Sequence, residues 1–190
     1  GNLSIRLSNL FKKPERRVVP SRRTFVRNTS LGVAAIPLLT GFFGLVIGKY
    51  LYKVQRVKLK SNRLPESFKG FKIVQISDFH AGSFDWFEQV KEGMEKINEL
   101  EPDLIVFTGD LVNNRTAEVL PFQELWTNLK AKHGKFAVLG NHDYGDYVPW
   151  ESEQERQENL ELMFRFYEDT GFKLLMNENK LIEIEGQKIA

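Results

Sequence analysis

Short apolar runs alternate with amphipathic stretches between residues 72 and 143, and this alternation constrains the fold more than any other feature of the chain. Three runs, at residues 72–76, 104–107 and 136–139, have the length of buried parallel strands. Apolar residues between them recur at helical spacing: Trp86, Val90, Met94 and Ile97, then Val119, Phe122, Leu125 and Leu129. The pattern predicts right-handed strand–helix–strand units, and therefore an α/β fold whose parallel or mixed sheet is covered by helices.

Each apolar run is followed by residues that can bind metals or transfer protons. Functional groups of open α/β sheets lie at the carboxyl ends of the strands, so we expect these residues to share one edge of the sheet. In chain order they are Asp78 and His80, then Asp110, then Asn141, His142 and Asp143.

The donor types limit the chemistry of such a site. The chain has no cysteine, which excludes disulfides, zinc–thiolate sites, iron–sulfur clusters and cysteine nucleophiles. Mixed oxygen and imidazole donors suit Mn, Fe or Zn rather than calcium alone. Asp78 and His80 are two positions apart, so an extended chain would direct both to one ion. Each block alone is a weak signal, since a turn aspartate beside a histidine is common, but their order and repeated placement indicate a metal site.

Three blocks together resemble the calcineurin-like metallophosphoesterase superfamily. The blocks are Asp78-Phe79-His80, Gly109-Asp110 and Gly140-Asn141-His142-Asp143. With the N-terminal features below, the chain is similar to the membrane-associated bacterial branch. The resemblance implies that residues 49–190 are the N-terminal part of a layered sheet flanked by helices. It implies a phosphoesterase that hydrolyses phosphate mono- or diesters or pyrophosphates through a water activated by two divalent ions.

The resemblance also implies a role for each residue. Asp78 and His80 would bind the first ion, Asp110 would bridge the two ions, and Asn141 would bind the second. His142 would face the substrate and stabilise or protonate the leaving oxygen.

Asp143 would orient His142 through a ring nitrogen.

The chain departs from the superfamily pattern in one large respect. No histidine follows His142, whereas the superfamily has further histidine blocks after this point. We therefore expect a fragment cut at both ends, and the alternative function is a non-catalytic interaction module at the membrane. Aromatic residues after the third block, Tyr147 among them, are candidates for substrate contacts.

A second constraint lies near the N-terminus, where no charged residue occurs between Arg27 and Lys49. Residues 31–48 would span about 27 Å as a helix, against about 30 Å of bilayer hydrocarbon. Internal proline and glycines disfavour the alternative of a buried soluble helix. We predict a transmembrane or signal-anchor helix at residues 28–48, uncleaved because no small-residue cleavage pattern precedes Lys49.

The flanks of this apolar run are strongly basic. Residues 1–63 hold 14 Lys and Arg and one acidic residue, whereas residues 64–190 hold 13 Lys and Arg and 24 acidic residues. Residues 1–27 are predicted to be a disordered basic leader, and its Arg22-Arg23 pair resembles a twin-arginine export signal. The expected partners are a phosphate-ester substrate and the cell membrane, with the catalytic domain outside the cytoplasm. Nucleic acid is not favoured as a partner, because residues 64–190 are acidic.

Apolar and polar residues alternate at 49–59, and this alternation predicts a half-exposed strand.

Overall fold

The structure, a computed structural model, describes residues 21–189. It divides into two compact units, one ending at Leu51 and the other beginning at Tyr52. Residues 1–20 of the predicted disordered leader lie outside the described residues, whereas the prediction is wrong for residues 22–27, which are helical.

The first unit contains one long helix, α1, from Arg22 to Val46. Ser21 caps it by accepting the Thr24 backbone N–H at 3.3 Å, so the helix begins at the paired arginines rather than at residue 28. None of its residues is buried, and its length and composition are sufficient to cross a membrane. A 3₁₀ turn, Gly48–Tyr50, follows it.

The strand predicted at residues 49–59 is wrong. After the 3₁₀ turn, residues 51–60 form neither helix nor strand. The side chains of Val54, Val57 and Leu59 are exposed, Val57 to 80%, and no described strand pairs with this segment. Alternation alone therefore produced no strand here, because a strand needs a neighbour for its backbone hydrogen bonds.

The second unit is built on a four-stranded parallel sheet in the order β1-β2-β3-β4. The strands are β1 (Ile73–Ile76), β2 (Leu104–Phe107), β3 (Lys135–Ala137) and β4 (Phe172–Leu174). The first three coincide with the predicted apolar runs to within two residues, which confirms the α/β prediction. A separate antiparallel hairpin pairs β5 (Ile182–Ile184) with β6 (Gln187–Ile189).

Helices connect the parallel strands. They are α2 (Phe87–Glu99), α3 (Gln123–Thr127) and α4 (Glu153–Asp169). The stripe predicted after β2 is buried as expected, but it is not one helix. Two 3₁₀ turns, Thr116–Glu118 and Leu120–Phe122, precede the short α3, because Pro121 lacks the N–H that a continuous helix requires at this position.

The core lies between the sheet and these helices, and Trp126 is at its centre. The Trp126 ring packs edge-on against Phe107 of β2 at 5.0 Å and against Phe79 at 5.2 Å. It also packs against Phe172 of β4 at 5.4 Å. Large aromatic side chains therefore join the strands to the helices, and Phe79 extends the core beneath the carboxyl edge of the sheet.

The first strand is less buried than predicted. Ile73 is 52% exposed, because β1 is an edge strand of the described sheet and pairs only with β2 there. The apolar composition of β1 predicted a strand, but it did not predict the position of that strand in the sheet.

Candidate active site

The segments that follow β1 and β2 run side by side beyond the ends of the strands. The backbone N–H of Asp78 donates to the Gly109 carbonyl at 3.1 Å, and that of His80 donates to the Asp110 carbonyl at 3.0 Å. The parallel pairing of the strands thus continues into the loops. It sets the first two sequence blocks next to each other at the carboxyl edge.

Phe79 determines how the first block is oriented. Its ring is in the core against Trp126, while Asp78 on one side of it is exposed and His80 on the other is partly buried. The Ser77 hydroxyl donates to the Asp78 carboxylate. The contact between the Phe79 ring and Trp126 therefore fixes the middle residue of the block against the core.

Two glycines allow the second and third blocks to approach. Gly109 has φ +97°, and a Cβ there would lie 2.3 Å from the Gly140 backbone nitrogen. A Cβ at Gly140 would lie 2.2 Å from Oδ1 of Asp110. Any larger residue at either position would push the two loops apart, so both glycines are needed for this geometry.

The side chains of His80, Asp110 and His142 converge. One potential ligand atom from each lies within 4.8 Å of the others. His80 Nε2 is 3.8 Å from Asp110 Oδ2, and the two imidazole rings are perpendicular with centroids 4.8 Å apart. Asp110 Oδ1 accepts the backbone N–H of His142 at 3.0 Å, which fixes the carboxylate between the two histidines.

His142 is held by its ring as well as by its backbone. Its Nδ1 lies 2.7 Å from the Asn113 carbonyl oxygen. A carbonyl can only accept, so Nδ1 carries the hydrogen, and in the neutral ring Nε2 then has a free lone pair. This nitrogen is the one able to bind an ion or exchange a proton.

The expected contact between Asp143 and the ring of His142 is wrong. The Asp143 carboxylate instead accepts four backbone N–H groups, from Gly140 at 2.9 Å, Asp110 at 3.0 Å, Leu111 at 2.7 Å and Val112 at 3.3 Å. Buried loops need such acceptors because their N–H groups have no strand partner. Asp143 therefore joins the second and third blocks through their backbones.

Burial is the largest influence on the pKa of Asp143 and raises it above the ordinary value. The N–H donors of Gly140, Val112 and Leu111 act in the opposite direction, and the charge of Asp110 adds to the rise. Burial disfavours the charged form of Asp143, and the backbone hydrogen bonds to its carboxylate oppose that effect.

Asn141 is exposed beside this cluster. Its Nδ2 donates to the Tyr147 hydroxyl at 2.8 Å, and the Tyr147 ring stacks on His142 with centroids 4.5 Å apart. The sequence indicated Tyr147 only as one of several aromatic residues, because nothing in its spacing shows that the chain folds back.

Of the predicted metal ligands, the structure brings His80 and Asp110 together and adds His142 to them. Asp78 is outside that close group, although its backbone is hydrogen-bonded to the same loop. Two imidazoles and a carboxylate fit Mn, Fe or Zn. The donor set and the close glycine packing therefore fit a divalent metal centre.

A parallel sheet with carboxylate, amide and imidazole groups after three adjacent strands is the arrangement of a metallophosphoesterase-type domain. The sequence profile of the calcineurin-like phosphoesterases matches residues 71–187. The chain belongs to this family.

Several relatives carry names that fit this assignment. The chain is 38% identical over 136 residues to an uncharacterized metallophosphoesterase, YkuE, of Bacillus subtilis, covering 67% of this chain and 46% of YkuE. It is 36% identical to the UDP-2,3-diacylglucosamine pyrophosphatase LpxG of Chlamydia muridarum, covering 61% and 36% of the two chains.

A transmembrane protein with a metallophosphoesterase domain from Danio rerio is 31% identical, covering 62% of this chain and 27% of that protein. The chain thus spans less than half the length of these three relatives. In this chain, the apolar helix α1 is the feature that fits membrane association, by its length and composition.

Proposed function

We propose that the protein is a metal-dependent phosphoesterase that hydrolyses phosphate mono- or diesters or pyrophosphates through a water activated by two divalent ions. The observation that carries this proposal is the convergence of His80, Asp110 and His142 within 4.8 Å, in a domain of the calcineurin-like family. When bound, two such ions lower the pKa of a water and stabilise charge on the phosphoryl oxygens.

Four residues are proposed to hold the ions, which we expect to be Mn, Fe or Zn. Asp78 and His80 would hold the first ion, and Asn141 would hold the second through its amide oxygen. Asp110 would lie between them. Its Oδ2 lies 3.8 Å from His80 Nε2, while Oδ1 accepts the backbone N–H of His142, so among the described residues Oδ2 is the oxygen without a backbone donor.

His142 is proposed to act on the substrate. The Asn113 carbonyl holds Nδ1, which leaves Nε2 to stabilise or protonate the leaving oxygen. One ring nitrogen of His142 lies within 4.8 Å of ligand atoms of His80 and Asp110, so the alternative role of His142 is that of a metal ligand. Asp143 is proposed to be a positioning residue that holds the loop backbones rather than the His142 ring.

The substrate class and location are further parts of the proposal. The name of the relative from Chlamydia muridarum supports a pyrophosphate among the possible substrates. The Arg22-Arg23 pair before the apolar stretch supports export of the catalytic domain out of the cytoplasm while α1 stays in the membrane.

Metal content and turnover of two variants of the intact protein test the residue roles. With Mn²⁺ and an aryl phosphate ester, His142→Ala should lower kcat by roughly 10²–10⁴-fold and retain metal, because its role is in proton transfer. Asp110→Ala should lose both metal and turnover. Asp146→Ala is the matched control, since its side chain is 69% exposed.

The outcomes separate the alternatives. Loss of metal from His142→Ala, with metal retained by Asp110→Ala, would show that the two roles are reversed. An intact protein that binds Mn²⁺ but hydrolyses no mono-, di- or pyrophosphate ester would favour the non-catalytic interaction module.

A further inference from the structure

We propose that Tyr147 is a positioning residue of this site, which orients the Asn141 amide through its hydroxyl and the His142 imidazole through its ring. The inference rests on the proposed function, because it assigns a partner to one proposed metal ligand and to the proposed acid.

The hydroxyl contact determines which end of the Asn141 amide faces the site. Asn141 is exposed, and no described side chain other than Tyr147 hydrogen-bonds to its amide. Because Nδ2 donates to the Tyr147 hydroxyl at 2.8 Å, Oδ1 is directed away from that contact. Only this oxygen can bind a cation, since an amide NH₂ is a donor.

The ring contact restricts the His142 imidazole. Tyr147 stacks on it with an interplanar angle of 26°, and the His80 ring meets it edge-on. The Asn113 carbonyl holds Nδ1. These three contacts leave Nε2 as the ring atom available for chemistry, and the Tyr147 ring limits rotation about the side chain.

The loop that carries Tyr147 is held in place independently of the site. Gly145 turns the chain with φ +72°, and a Cβ there would lie 2.7 Å from the Trp150 ring. Trp150 Nε1 donates to the Gly145 carbonyl at 2.7 Å, and the Arg115 guanidinium lies 4.1 Å from a Trp150 ring centre. A packed loop thus holds Tyr147 over His142, although the residue as a whole is 59% exposed.

Two substitutions separate the contacts. Tyr147→Phe keeps the stacked ring and removes the hydroxyl, whereas Tyr147→Leu removes both. Tyr144→Phe is the matched control, because in the described structure the Tyr144 hydroxyl has no hydrogen bond to the site. The intact protein in detergent is measured by calorimetric titration with Mn²⁺ alone, by NMR of the histidine ring protons without metal, and by kcat on an aryl phosphate ester.

Tyr147→Phe is expected to weaken binding of one Mn²⁺ by roughly 10-fold, as loss of a residue that orients a ligand does, while the His142 ring-proton shift stays as in the wild type. Tyr147→Leu removes the stacked ring, so the His142 ring protons are expected to lose the chemical-shift change that the Tyr147 ring causes. This variant is also expected to lower kcat by roughly 10-fold. Tyr144→Phe should change none of the three.

Two results would overturn the inference: Mn²⁺ affinity in Tyr147→Phe equal to that of the wild type, or a His142 ring shift that survives in Tyr147→Leu. The proposed function fails separately, if the intact wild-type protein hydrolyses no phosphate ester. The metal titration and the metal-free NMR then still decide whether Tyr147 positions its two neighbours.

Discussion

Asp78, His80 and Asp110 all have backbone φ angles in the left-handed region, at 53°, 47° and 59°. This conformation costs on the order of 1–3 kcal/mol for a non-glycine residue unless its surroundings hold it. Hydrogen bonds between the two loops hold it here, through the backbone N–H groups of Asp78 and His80. The unusual backbone thus coincides with three of the four proposed metal ligands, as strain at functional sites commonly does.

Asp143 is the residue whose removal should disturb this backbone most. Asp143→Asn is expected to lower the free energy of unfolding by about 2–4 kcal/mol, because an amide cannot accept all four N–H groups and its own NH₂ would face donors. Urea denaturation of the intact protein measures the change. Asp146→Asn, on the exposed side of the same loop, should have little effect. Unchanged stability combined with lost turnover would instead indicate a direct action on His142.

At the scale of elements, Asp103 joins the amino ends of the strands, opposite the site. Its carboxylate accepts the Lys72 backbone N–H just before β1 and the Lys132 ammonium before β3, both at 2.8 Å. Burial acts to raise the pKa of Asp103, but the hydrogen bonds from Lys132 and Lys72 and their charges outweigh it and lower the pKa below its usual value.

A lowered pKa in the folded state makes the contribution of Asp103 depend on pH. The ionised carboxylate stabilises the fold above its unfolded pKa of about 4, and this stabilisation is lost as the pH falls through the lower folded pKa. Asp103→Asn is therefore expected to destabilise by roughly 1 kcal/mol at pH 7, and the difference should vanish in acid.

Urea denaturation of wild type and Asp103→Asn between pH 7 and pH 3 checks this expectation. Glu161→Gln on the exposed face of α4 serves as the matched control for loss of one charge. A difference that stays constant across the whole range would show that the Asp103 charge plays no part.

The elements themselves differ in how far the sequence could predict them. Short runs of apolar residues located β1, β2 and β3, because strands of a parallel sheet covered by helices are apolar along most of their length. They did not show that β1 is an edge strand, with Ile73 half in solvent, nor that Pro121 divides the stretch after β2 into short turns. Position in a sheet depends on which strands pair, and that is a long-range property.

At the scale of the whole molecule, the chain has a basic N-terminal part that contains the apolar helix and an acidic remainder. The described helix α1 is largely apolar and has no buried residue, and five Lys and Arg follow it between residues 53 and 63. We expect the intact protein to stay in the membrane pellet after carbonate extraction, because about 25 exposed, largely apolar helical residues suffice to span the hydrocarbon core.

Release of the full-length protein into the soluble fraction would contradict the anchor. The twin-arginine prediction is tested apart from it, by replacing Arg22 and Arg23 with lysine. Export should fail in that variant while extraction behaviour is retained, and unchanged export would remove only the export signal from the proposal.

The sequence alone determined the family, the α/β class and the strands that carry the polar blocks, because these depend on local patterns of apolar runs followed by Asp, His and Asn. Only the tertiary structure decided what each side chain touches. Asp143 faces backbone N–H groups rather than His142, and Tyr147 returns over the site. Contacts between residues distant in sequence follow from how loops pack against one another, and spacing along the chain carries no record of that packing.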